Sequence, residues 1–446
     1  MITENFADFI ISTTYSEIPQ MVIEKAKICF IDFLGVSLAG SRIKSGSIIK
    51  EIIGKGDEST VIGSKKSSAL DSSLANGIFA HAMDLDDGNR FAQLHPGSCV
   101  IPSALAICES RNKSGRDFLT SIVIGYEIAI ILGMMANPSH RNRGFHSTGT
   151  CGTFGAAAAA AKSMNLEKEN TVNALGIAGT QTCGLLESDH AGSMAKHLHA
   201  GKAAQSGLLS ALLADKGYNG AKSILEGEEG FFNATTDIDL LNNNELFDDI
   251  TLGEYHIRNV YFKKYPVCRH LHSSLDSLIH LIRKNNISSH EVEEIVVKTY
   301  KIAAQHDNYY PTNLESLRQS LPMVLAISCI KGQLDYTDIS QDDINYDIYH
   351  MAEKAVIEES DEYEDLYPEK RPSKVVIKTI NKKYDKIFDL PKGEPENPFT
   401  KSDIIQKFSR LNPKIDVELL DMINHIENYN MKEFMEILNQ EFIRVY

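Results

Sequence analysis

The sequence predicts a mostly α-helical protein, in which a large all-helical domain carries an inserted, smaller α+β lid domain. Three observations point there. At 446 residues the chain exceeds what one hydrophobic core usually supports, so two domains are expected. Up to about residue 260 apolar residues recur at helical spacing and almost nothing alternates with period two. After KKYPVCRH the text turns to β-branched, partly alternating stretches, and helical spacing returns from 400 to 441. The expected boundaries are 1–263 for the helical domain, completed by 396–446, with 264–395 as the lid.

Taken in order, residues 20–38 place Val22, Ala26, Cys29, Phe30, Phe33 and Leu34 on one buried helical stripe. Residues 67–83 repeat the theme through Leu70, Leu74, Ile78 and Phe79, then stop at an acidic DLDDGN turn. Carboxylates at a helix C-terminus gain nothing from its dipole, so Asp84, Asp86 and Asp87 need another reason to be there. Further helices are expected over 99–112, 115–136, 148–163, 167–186 and 197–216. The stretch 118–136 nearly reaches membrane-spanning length, but Glu127 at its centre would be costly in lipid, so it reads as a buried core helix with no membrane partner. Small residues crowd 152–162 and 199–214, where helix backbones can approach closely. The Asn/Asp-rich stretch 233–249 reads as an exposed loop. In the lid, 291–302 and 374–391 read as half-buried strands, and 315–334 as a helix despite Pro322. The tail, with Ile404, Ile405, Phe408 and Leu411 apolar, reads as a helix returning to the first domain.

Composition narrows the partners. Forty-five basic against 60 acidic side chains give a formal charge of -15, which argues against a nucleic-acid partner. An anionic small substrate requires local gathering of cations, for which Lys196, Lys202, Lys263, Lys264 and Arg269 are available. Seven cysteines, odd in number and without a Cys-x-x-Cys pair, disfavour a disulfide framework. The opening MITENFADFI shows no secretory pattern, and a cytoplasmic setting is the expectation.

Four separated segments set histidine or lysine among small residues: 81–98, 143–155, 193–207 and 263–272. Eight of the fifteen histidines fall in these segments or their flanks, a clustering that favours acid–base work near neutrality. His95 precedes Pro96-Gly97-Ser98 and the start of a helix, where an anionic ligand is well placed; the plainer alternative is that it caps local backbone. His146 stands before an alanine-rich helix with Ser147 and Thr148 as candidate N-caps. Lys196 lies at a helix start, where a cation is out of place unless an anion accompanies it. Arg269 and His272 sit at the domain junction, and Arg269 could grip a carboxylate in a bidentate manner. Cys268 immediately precedes Arg269, without a thiolate-activating motif nearby in sequence. The His-x-His pairs 197/199 and 270/272 raise a metal site, yet residues two apart on a helix diverge. No His-Glu-x-x-His, P-loop or dinucleotide fingerprint occurs, which leaves a histidine-ligated, metal-dependent hydrolase as a remote alternative.

These segments, together with LGIAGTQTCGLLE (175–187) and LADKGYNGAKSILEGEEGF (213–231), resemble in order and wording the MmgE/PrpD family of 2-methylcitrate dehydratases, cis-aconitate decarboxylases and iminodisuccinate epimerases. The resemblance implies a helical domain with a lid, a homodimer, no metal or organic cofactor, and active-site roles for Asp84, His95, His146, Lys196 and His272. Two positions depart from it. Gly88 stands where decarboxylases and methylcitrate dehydratases carry a threonine, and Met323 stands where the decarboxylase lid carries a tyrosine.

The resulting expectation is a cofactor-independent lyase that abstracts an α-proton from a small di- or tricarboxylate, with dehydration placed first and decarboxylation or epimerisation as alternatives. His95 and His146 would serve as base and acid in either order, Lys196 and Arg269 would bind carboxylates, and Arg90, Lys202 and Gly88 would complete the substrate contacts. Asp84 would orient a histidine or meet a substrate hydroxyl, and His272 would close the site from the lid. A polycarboxylate-binding protein without turnover is the non-enzymatic alternative.

Overall fold

The computed structural model describes residues 1–238, 251–340 and 344–446. Among them every strand lies beyond residue 291, and the first half is built from helices. Helices Gln20–Gly40, Ala69–His81, Gly97–Ser110, Gly115–Ala136, Ser147–Met164, Lys168–Gly179 and Ala195–Asp215 fall close to the predicted spans. One ends early. The predicted helix 167–186 stops at Gly179, because the following backbone bonds elsewhere: the His146 amide donates to Gly184 O at 3.0 Å and the Leu186 amide to Gly144 O at 2.8 Å. Of the predicted loop 233–249, residues up to Thr235 finish helix Phe231–Thr235, and 239–249 lie outside the described residues.

Small residues set the helix spacing. A Cβ on Gly77 would stand 2.7 Å from the Gly201 Cα, and one on Gly155 2.6 Å from the Gly125 carbonyl, so these helices pack backbone to backbone. Gly115–Ala136 is long and apolar enough to cross a membrane, yet 89% of its apolar window is buried within the protein. Its Glu127 carboxylate is satisfied there by the amides of Gly253, Tyr255 and His256 and by the His256 ring.

The lid holds a four-stranded sheet in the order β2-β1-β3-β4, with β1 Val292–Thr299, β2 Ala355–Glu359, β3 Ser373–Thr379 and β4 Lys383–Phe388. β1 runs parallel to β2 and antiparallel to β3, pairing Val297 with Val375 and Ile295 with Ile377. The short β2 carries no alternation that sequence could reveal. Helix His272–Asn285 lies on β3 and β4, and Leu275, Leu278, Val324, Ile327, Val375 and Ile377 share one core. Pro322 splits the predicted helix 315–334 into Leu314–Arg318 and Leu321–Lys331, since a proline fits the first turn of a helix and not its interior. In the tail, helices Lys401–Leu411 and Met431–Val445 bury Ile404, Phe408, Phe434 and Phe442 in the core of the first helices, where the Phe434 and Phe30 rings lie 6.1 Å apart.

Candidate active site

Close helix packing brings helix ends to one place. Ala69–His81 ends at His81; Gly97–Ser110 starts two residues after His95; Ser147–Met164 is preceded by His146; and the first turns of Ala195–Asp215 carry Lys196 and His199. The rings form a row, with centroids 5.0 Å apart for His95 and His81, 5.8 Å for His81 and His146, and 5.2 Å for His146 and His199. Thr148, predicted as a cap, instead accepts from the His95 amide through Oγ1 at 3.1 Å and ties two helix starts together. Three helix N-termini, with their positive dipole ends, therefore share one side of a cavity of about 230 Å³ whose other side is the lid.

Five cationic side chains (Arg141, Lys196, Lys263, Arg269, Arg371) line this cavity against two carboxylates (Asp84, Asp189). The acidic chain thus gathers its positive charge where an anionic ligand needs it. Asp84, in the left-handed region at φ 51°, accepts through Oδ1 from Lys263 Nζ at 2.8 Å and Lys196 Nζ at 3.2 Å, while its buried Oδ2 has no partner among the described residues. Burial alone would raise the Asp84 carboxyl, but the two ammonium groups hold it well below the usual range. The Lys196 ammonium, opposed by burial, is pushed up by Asp189 and Asp84. The anion predicted to accompany Lys196 is thus already in the protein.

Two of these imidazoles, His95 and His146, are shifted towards the neutral form. Burial brings His95 down to about 3, Asp86 only partly opposing it, and burial with neighbouring cationic groups holds His146 well below its ordinary value. His95 Nδ1 lies 2.6 Å from the Asp87 carbonyl, which can only accept, so Nδ1 carries the proton and Nε2 is the basic atom. His146 Nδ1 meets His199 Nδ1 at 3.0 Å, which leaves Nε2 for a ligand. His81 Nδ1 pairs with Asp86 Oδ2 at 2.8 Å.

His81, Asp86 and His95 offer the donor types of an ion site, with ligand atoms within 4.8 Å of one another. His81 Nδ1 and Asp86 Oδ2 stand at hydrogen-bond distance, 2.8 Å, closer than the about 3.3 Å that separates ligands around a tetrahedral zinc with bonds near 2.0 Å, while His95 Nδ1 lies 3.5 Å from the same oxygen.

Of the predicted residues, Asp84, His95, His146, Lys196 and Arg269 line the cavity. Arg269 is committed to the buried Glu394 carboxylate at 2.9 Å and to the cavity edge at once, so it is not a free carboxylate grip. Four residues lie elsewhere. His272 is wholly buried behind the wall, between Arg269 Nη1 at 3.0 Å and the Val267 carbonyl at 3.3 Å, because helix His272–Asn285 starts there and turns its ring inward. Arg90 is spent on Glu394 and Glu396. Lys202 bonds Gln205 at 3.1 Å, six residues past Lys196 and on another face of the same helix. Gly88 pairs with Tyr261 in an antiparallel bridge, and any side chain there would collide with the Tyr261 ring. Its role is to admit Tyr261, which lines the cavity, rather than to touch a ligand.

Sequence reasoning passed over His81, Arg371 and His306. His81 stood in a marked segment, and its five-residue spacing from Asp86 was the available signal. Arg371 precedes a proline in the lid and carried no signal. Its side chain is buried, and Nε and Nη1 have no partner among the described residues.

The N-terminal domain model of MmgE/PrpD matches residues 4–242 and the C-terminal domain model matches 265–420. The chain belongs to the MmgE/PrpD family. This MmgE/PrpD protein is 31% identical over 243 residues to a cis-aconitate decarboxylase-like protein of Aspergillus oryzae, a match that covers 52% of this chain and 50% of that one. It is 26% identical over 376 residues to a cis-aconitate decarboxylase of Aspergillus terreus, covering 78% and 76% of the two chains. To a mitochondrial 2-methylcitrate dehydratase of Yarrowia lipolytica it is 24% identical over 403 residues, covering 83% and 75%. These relatives are lyases by name. In this MmgE/PrpD protein Met323 is buried in the first turn of Leu321–Lys331, outside the cavity lining, and among the described residues the one phenol at the wall is Tyr261.

Proposed function

We propose that this protein is a lyase that acts on a small di- or tricarboxylate by α-proton abstraction, with elimination of water as the favoured outcome and without a metal or organic cofactor. The carrying observation is the pair of neutral imidazoles, His95 and His146, set over a cavity with an excess of cations. Lys196 and Lys263 stabilise negative charge that develops on the substrate, and Asp84 fixes both ammonium groups so that little reorganisation is needed. Arg371, whose Nε and Nη1 have no partner among the described residues, offers them to a second carboxylate. An imidazole Nε2 takes the α-proton, and the other imidazole or Tyr261 gives a proton to the departing oxygen. Substrate carboxylates raise the basicity of both histidines as they bind, since an anion favours the charged imidazolium. Binding and activation are therefore the same event.

Decarboxylation is the second reading, favoured by the names of the fungal relatives. Metal-stripped protein incubated in heavy water with 2-methylcitrate or cis-aconitate, followed by carbon and proton NMR, separates the two. Water loss from the first supports dehydration and CO2 release from the second supports decarboxylation. No change in either, with α-hydrogens unexchanged, rejects the proposal.

A further inference from the structure

We propose that Cys268 is a thiolate paired with His306 on the lid wall of the cavity, and that it captures α,β-unsaturated carboxylates covalently. Cys268 Sγ lies 3.6 Å from His306 Nε2. The other ring nitrogen, Nδ1, stands 2.9 Å from the Gln319 carbonyl, which can only accept, so Nδ1 is protonated and Nε2 is turned to the sulfur. One short turn holds both partners. The Cys268 amide donates to Arg318 O at 3.0 Å, and the Leu321 amide donates to His306 O at 2.8 Å. Both side chains are half-buried and line the cavity.

This geometry has an electrostatic consequence. Burial pushes the Cys268 thiol up, but the adjacent imidazolium and its hydrogen bond outweigh that and bring it to about 7, while His306 is raised in turn. From the helical domain Lys196 favours the thiolate and Asp84 opposes it; His270 and Arg141 face His306. No other cysteine shares this setting: Cys183 is exposed with its thiol raised by partial burial, and the remaining five are buried.

The cavity's cations concentrate anions at the same wall, so the electrophile that reaches this sulfur is an anionic one. Loss of water from a small hydroxypolycarboxylate, or of CO2 from one that is already unsaturated, leaves a carbon–carbon double bond conjugated to a carboxylate, and on this point the inference rests on the proposed function. In the step, the Cys268 thiolate forms a C–S bond to the β-carbon, the π pair moves to the α-carbon, and the His306 imidazolium gives that carbon its proton. The product is a thioether, with no atom left over and no oxidant needed. Capture would couple accumulation of an unsaturated acid to loss of turnover.

The test reads labelling of each cysteine by peptide mass spectrometry. Iodoacetamide should alkylate Cys268 in the wild type with half-maximal rate near pH 7, and Cys183 only at clearly higher pH; His306→Gln should move the Cys268 midpoint up towards that of Cys183. Fumarate at pH 7.5 should then add one acid molecule to Cys268, at a rate that saturates and falls when citrate is present, and no acid to Cys268→Ser at that position. A Cys268 midpoint in the ordinary thiol range, or no fumarate adduct in the wild type, overturns the inference. The proposed function fails separately: an adduct without turnover of any polycarboxylate rejects that reading alone, whereas turnover without an adduct rejects this one alone.

Discussion

The two walls of the cavity differ in how their charges are settled. On the helical wall Asp84 is shared by Lys196 and Lys263, Asp86 is bonded to His81, and the four imidazoles lean on one another. On the lid wall Arg371 is buried with Nε and Nη1 unpartnered among the described residues, and Cys268 faces His306, whose other ring nitrogen is held by the Gln319 carbonyl. Buried guanidinium nitrogens without a partner are costly, and an anionic ligand at that wall would offset the cost. On the proposed function, the helical wall supplies the proton-transfer imidazoles and the lid wall supplies Arg371 as a contact for a substrate carboxylate.

This contrast predicts a graded set of losses. His146→Gln or His95→Gln should lower kcat by about 10²–10⁴-fold with little change in KM, the range for loss of a positioned proton-transfer group, as read by steady-state kinetics on whichever polycarboxylate turns over. A comparable rise in KM instead would move that histidine into the binding role. Arg371→Gln should act the other way, raising KM by about ten- to a hundredfold as a charge-assisted bond worth about 1.5–3 kcal/mol is lost, with kcat changed far less. If kcat falls with it, the distinction between the walls breaks. Arg90→Gln should lower the melting temperature by several degrees and leave KM alone, because it strips one partner from the buried Glu394 without opening the cavity. Lys202→Ala should change neither measurably.

Acid stability sharpens the same contrast. The neutral histidines of the helical domain have folded-state values below the ordinary 6.5, about 3 for His95 and about 4 for His140 and His199, each lowered chiefly by burial. Between those values and 6.5 the unfolded chain binds more protons than the folded one, so stability falls as pH drops through that window. The depressed Asp84 carboxyl adds a loss in the same direction as pH falls through its ordinary 3.8. Asp87, raised by burial to about 7, opposes this, but the several lowered histidines outnumber it, so the melting temperature should decline as pH falls below 6.5. A maximum near pH 5 would mean that the imidazoles are charged in the folded protein.

Much of this was legible in the chain itself. The helical domain follows from periodicity, and the return of the tail follows from Ile404 and Phe408, whose spacing matches their burial beside the first helices. His95, His146 and Lys196 were visible because each stands at a helix start among small residues, a local signature. Residues whose role depends on distant partners were not. Arg90 and Lys202 look like free cations in sequence, yet Glu394 and Glu396, about 300 residues on, claim the first and helix phase turns away the second. Cys268 showed no activating neighbour because His306 lies 38 residues further along and is delivered by the turn at Pro322. His272 carries the same text as a site residue, and only the path of the helix it opens decides that its ring faces inward.

The most direct test of the account is the protonation state of His95 and His146, followed by NMR of protein labelled in the histidine rings, with and without citrate. Both rings should be neutral at pH 6 in the free protein, and both should titrate at markedly higher pH once the tricarboxylate is bound. Rings already charged at pH 6 in the free protein, or titrations that citrate does not move, would contradict it.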